Sequence, residues 1–126
     1  MNIVTRALSK NLRDRRLKGF IAHWDKLEAL IIRTYKSRQT GPEDEREFQK
    51  LSAWLRRNYP RVQDTLQPYW QESLAWGEKT QQDPYLRLIS ARHAGDFVGD
   101  WKAMQTLPEA REALNKYLLQ NNPSIH

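Results

Sequence analysis

Three side chains in the second half of this chain, His93, Asp96 and Asp100, are of types that bind divalent cations or exchange protons. On a continuous helix their i, i+3, i+7 spacing gathers an imidazole and two carboxylates on one side, a set suited to a metal ion or an acid–base pair. Gly95 and Gly99 lie among them and weaken the helix that would align them. The plainer reading makes Asp96 a cap for the next helix and leaves His93 and Asp100 on the surface. Elsewhere the chain has no glycine-rich phosphate loop, nucleophile elbow, H-E-x-x-H or EF-hand loop. No Glu precedes a His by three, so the di-iron pattern of helical bundles is missing. Cysteine is absent, which excludes disulfides and thiolate metal sites. His23, beside Trp24, reads as the boundary of a packing face. No cofactor is expected, and the expected role is non-catalytic.

Cations offer a different chemistry. Residues 1–38 hold ten lysines and arginines against Asp14, Asp25 and Glu28, an excess of +7, while the remaining 88 residues carry −1. Arg6, Lys10 and Arg13 share one helical face, and Arg15, Arg16 and Lys18 extend the patch. Such a segregated cationic end meets acidic proteins, nucleic-acid phosphates or phospholipid headgroups, the last least favoured because no Trp or Phe precedes Phe20. A helix-turn-helix over 86–105, with Ala91 and Gly95 at the turn, would present Asp96 and Asp100 to phosphate, so a plain helical turn is expected there. Among the aromatic residues, Tyr69, Trp76 and Tyr85 are the candidates for an interface patch, because aromatics anchor protein contacts.

The elements that must position these groups are helical almost throughout. Leu17, Phe20, Trp24, Leu27, Ile31 and Tyr35 step by three or four. Val4, Leu8 and Leu12 make a face that does not continue into that stripe. The spacing therefore predicts a short basic helix within residues 1–16, at about 3–14, a break before Gly19, and a long helix over 18–37. Thr40-Gly41-Pro42-Glu43 is a helix start, with Thr40 as cap and Glu43 reaching back. Phe48, Leu51, Trp54, Leu55 and Tyr59 form its buried face. The stripe from Val62 contains Pro68, which predicts a kink or split. Residues 78–82 read as a loop, Asp83-Pro84 restarts a helix, and Thr106-Leu107-Pro108-Glu109 repeats the start signal seen at Thr40. The tail 121–126 should fray.

With no period-two alternation, the expected fold is all-α: one domain over 1–126, five or six helices in a bundle-like arrangement around a Trp-rich core built from Trp24, Trp54, Trp70 and Trp101. No segment has signal-peptide or transmembrane quality, so a cytoplasmic protein without membrane insertion is expected. The favoured function is a small helical binding or assembly module. Its basic N-terminal region would contact an acidic partner, or Ile21, Leu30 and Ile32 beside the main stripe would form a homo-oligomer. The alternative is a nucleic-acid-binding protein of low sequence specificity using Arg6, Lys10, Arg13, Arg15, Arg16 and Lys18. The third reading is a small metal-dependent enzyme around His93, Asp96 and Asp100.

Overall fold

A computed structural model describes residues 3–73 and 82–121, with side chains over 12–71 and 82–121. Those residues form five α-helices and no strand: α1 (Ile3–Ser37), α2 (Pro42–Asn58), α3 (Gln63–Ser73), α4 (Pro84–Ile89) and α5 (Trp101–Asn121). Single 3₁₀ turns occupy Tyr59–Arg61 and Ala94–Phe97. No described helix is long and apolar enough to cross a membrane. α2 lies along α1, α3 lies along α5, and α4 with the Ala94–Phe97 turn fills the space between them.

The expected break before Gly19 does not occur, because α1 runs unbroken for 35 residues. A helical glycine costs only about 1 kcal/mol, and burying Leu17, Phe20 and Trp24 on either side of it outweighs that. The change of face seen in the sequence is real but has another outcome. Leu12 turns out of the packing stripe and is 45 % exposed, while the helix continues. α1 ends when Arg38, in the left-handed region at φ 60°, donates its N–H to Thr34 O at 2.9 Å.

α2 begins where expected but with different capping. Gly41 is the N-cap, Pro42 opens the first turn, and the Gly41 N–H donates to Asp44 Oδ2 at 3.2 Å. The Thr40 hydroxyl instead donates to Glu45 Oε1 at 3.3 Å. Asp83 caps α4 by accepting from the N–H groups of Tyr85 and Leu86. Pro68 sits inside one helix, α3, which does not split. The start expected at Thr106 is overturned: Pro108 lies inside α5, whose first turn is held by Asp100 accepting from Ala103 N–H at 3.2 Å. The Thr106 hydroxyl donates to Lys102 O and accepts from Arg87, so it serves an ongoing helix.

The core is centred on a ring cluster of Phe20, Trp24, Tyr59 and Tyr85, with centroids 5.0–6.0 Å apart. Burial, helped by the nearby Asp83 carboxylate, pushes both tyrosine hydroxyls far above their usual range. Tyr59 donates to Asp83 Oδ2, and Tyr85 donates to Ala110 O at 2.6 Å. Tyr85 is therefore a core residue rather than part of an interface patch. Trp24 and Trp70 are buried and Trp54 is half-buried, but Trp101 is 56 % exposed, which removes it from the core. Its place at the first residue of α5 precedes the helix's buried face, which starts at Ala103. Arg111 closes the bundle by pairing with Asp25 (2.5 Å) and Glu28 (3.2 Å) across α5 and α1. Leu30 is 1 % exposed, and Ile21 and Ile32 are partly buried against the core. Of that apolar face, Leu30 is part of the core, while Ile21 and Ile32 keep some exposure at its edge.

Candidate nucleic-acid interface

Among the described cations expected to form one patch on α1, Arg13, Arg15, Arg16 and Lys18 fan around the helix rather than sharing one face. A step of 100° per residue sets Arg13 far from Arg15 around the axis. Arg13 stands over a cleft between α3 and α5, with Asp64, Tyr69, Tyr117 and Asn121. There Tyr117 donates to Asp14 Oδ1 at 2.8 Å, and burial followed by that bond pushes its hydroxyl up to about 12. Tyr69 packs edge-on to Tyr117 at 5.7 Å and accepts from Asn121 Nδ2, half-buried rather than presented as an anchor. The side chains of Arg6 and Lys10, and Trp76, lie outside the described residues, as do residues 122–126 of the tail.

Arg16 is only about 60° from Arg13, one turn on, and Arg15 and Arg16 both meet α2. With Gly19, Trp54, Asn58 and Arg61 they line a cleft of about 190 Å³. The cleft is built from local choices on two elements. The Trp54 ring lies against α1 at Gly19, where an added Cβ would meet it at 3.6 Å, an ordinary van der Waals contact. Trp54 is fixed from its face by His23, with ring centroids 3.6 Å apart and planes 3° from parallel. His23 is itself held by Nδ1 hydrogen-bonded to Gly19 O at 2.9 Å, which puts a proton on Nδ1. Asn58 donates to Trp54 O at 2.8 Å as α2 ends. The Tyr59-Pro60-Arg61 turn then swings Arg61 toward α1. Among the described residues, Arg15, Arg16 and Arg61 have no ion pair, and no acidic side chain lines the cleft. Lys18 is exposed on α1, on the solvent side away from the core.

The residues considered for metal chemistry are occupied otherwise. Asp96 Oδ2 accepts from the N–H groups of Arg92 and His93, closing its own turn. Asp100, not Asp96, is the cap of the following helix. His93 Nδ1 stands 3.7 Å from Glu45 Oε2. Among the described residues no group of three potential ligands is placed to hold a metal ion.

Sequence reasoning missed Trp54, Asn58 and Arg61 as members of the cationic site, together with the anchoring role of Glu45. Glu45 reaches from α2 to accept from Ala94 N–H (3.0 Å) and Gly95 N–H (2.9 Å). The only sequence signal for Arg61 was its place in an acid-free stretch from residue 48 to residue 63. No family model, curated protein or solved structure matches this chain.

Proposed function

We propose that the protein is a non-catalytic helical module that binds nucleic acid through its phosphates, with little dependence on sequence. The observation that carries this reading is the meeting of Arg15, Arg16 and Arg61 on one cleft without an acidic partner among the described residues. Like charges that converge from separate elements repel one another, and an anion relieves that repulsion. The cations are guanidinium groups, whose planar fork matches a phosphate with two parallel hydrogen bonds. An acidic protein is the less favoured partner. Protein interfaces centre on apolar or aromatic anchors within a polar rim. Here Trp54 is half-buried with one ring face covered by His23, and Leu12 is the one exposed large apolar side chain described on α1.

The test is fluorescence anisotropy with a labelled oligonucleotide duplex at 50 mM salt, comparing wild type with Arg15→Glu/Arg16→Glu. Micromolar binding that weakens at least tenfold in the variant, whose helical circular dichroism is unchanged, supports the reading. No binding by wild type, or equal binding by a correctly folded variant, overturns it.

A further inference from the structure

The cleft opens onto a longer cationic surface. On α2 the buried face is Phe48, Leu51, Ser52 and Leu55. Opposite it stand Arg46, Lys50 and Arg57, at helical spacings of four and seven, with Arg61 one turn beyond. Arg46 and Arg57 are separated by about 16 Å along the axis. All four are exposed and have no ion pair among the described residues. One flank of this ridge is the cleft with Arg15 and Arg16. The other flank is formed by Glu45, Gln49 and Arg56 with Arg92 and His93. Arg92 is held there because its carbonyl accepts from Gln49 Nε2 (2.5 Å), while Arg56 donates to Ile89 O (3.1 Å). The Arg92 side chain is exposed and has no ion pair described.

The acids of α2 do not cancel this surface. Asp44 pairs with Arg33, whose guanidinium lowers its carboxyl below the usual range. Glu45 is engaged by two backbone N–H groups. Glu43 precedes the ridge, whereas Glu47 is exposed within it, between Arg46 and Lys50, and offsets part of its charge.

We infer that α2 is the axis of the binding surface and that a nucleic-acid duplex lies along it, its two phosphate chains meeting Arg15 and Arg16 on one flank and Arg92 on the other. This rests on the nucleic-acid reading above and extends it from one cleft to a ridge of four cations with Arg15 and Arg16 on one side and Arg92 on the other. A convex helix bordered by cations on both sides complements a groove walled by two phosphate chains. A helix with its side chains is about 10–12 Å across, close to the width of about 12 Å of the B-form major groove. Single-strand surfaces instead use exposed aromatic platforms for unstacked bases. The ridge has none, because Trp54 is half-buried and already stacked on His23.

Seven cations take part: Arg15, Arg16 and Arg92 at the groove walls, and Arg46, Lys50, Arg57 and Arg61 between them. The long side chains of these four reach sideways to the same two phosphate chains. Seven phosphate contacts give a slope of about −6 for log affinity against log salt, or roughly a 10⁴-fold loss between 50 and 200 mM. Removing two by Arg46→Ala/Lys50→Ala reduces the slope to about −4.5 and that loss to roughly 500-fold. Glu47→Gln lifts an opposing charge and tightens binding.

The experiment measures a labelled 20-base-pair duplex, the matching single strand and polyglutamate across that salt range, using full-length wild type, the ridge pair variant and Arg15→Ala/Arg16→Ala. Reduced affinity and slope in both pair variants, with the duplex preferred, is the expected result. A ridge variant indistinguishable from wild type, while the Arg15/Arg16 variant weakens, overturns the extended surface and leaves the cleft. A single strand or polyglutamate bound as tightly as the duplex overturns the duplex assignment. Absence of duplex binding by wild type removes the underlying reading and this inference with it.

Discussion

Glu45 is the side chain whose removal tests the architecture most directly. Its carboxylate spans from α2 to the Ala94–Phe97 turn and accepts from Ala94 N–H and Gly95 N–H, with the Thr40 hydroxyl as a third donor. Ala94 is fully buried, so Glu45→Ala strands its N–H away from solvent. A hydrogen bond to a charged group contributes about 1.5–3 kcal/mol, and an orphaned buried donor costs about 1–3 kcal/mol. The Glu45 side chain is 30 % exposed, and water can reach part of the site. The working figure is therefore about 2–3 kcal/mol, equivalent to a fall in Tm of about 8–10 °C for a chain of this size. Urea unfolding followed by tryptophan emission reads the change, with Glu47→Ala as a control that removes an exposed carboxylate from the same helix. A Glu45→Ala protein within 0.5 kcal/mol of wild type would refute the argument that this carboxylate anchors the turn.

Two smaller perturbations test other local claims. Arg38 adopts φ 60° at the end of α1, where a side chain costs about 1–2 kcal/mol and glycine costs nothing sterically. Arg38→Gly should stabilise the fold by about 0.5–1 kcal/mol after the added freedom of the unfolded chain is deducted, as measured by chemical denaturation. Tyr117 has its hydroxyl raised from 10.0 to about 12, first by burial and then by Asp14. In the unfolded chain it ionises first, so the unfolded state holds fewer protons above pH 10. Its contribution is complete below pH 10 and disappears between pH 10 and 12. Tyr117→Phe should flatten that part of the alkaline stability curve, and an unchanged slope would count against the shift.

Helix content was legible because the stripe from Leu17 to Tyr35 and the face from Phe48 to Tyr59 repeat at the helical period over several turns. Punctuation was less legible, since identical signals acted differently in different surroundings. Thr40-Gly41-Pro42 opens a helix because Arg38 has already ended the one before it. Thr106-Leu107-Pro108 opens nothing, since Asp100 has already capped a helix that absorbs the loss of one N–H. Arg15 and Arg16 were visible as charge, but Arg61 joins them only through the packing of α2 on α1. The ridge on α2 was hidden by arithmetic. Residues 39–126 sum to −1, yet Asp44, Glu45 and Asp83 are engaged in internal contacts while Arg46, Lys50 and Arg57 remain outside. Net charge counts the two groups alike.

Residues far apart in the order of synthesis meet directly. Asp14 near the start of α1 accepts from Tyr117, 103 residues later, and Arg111 reaches back 86 residues to Asp25. During synthesis, α2 can cover one side of α1 early. The ring cluster around Phe20 and Trp24 must wait for Tyr85, and α1 must wait for α5 to supply its remaining partners. At about 5–20 residues per second, the interval from Asp14 to Tyr117 is roughly 5–20 s. For that time a growing chain carries an apolar helix without its last partner, which makes the ribosome-bound intermediate the stage most open to aggregation and to chaperone capture.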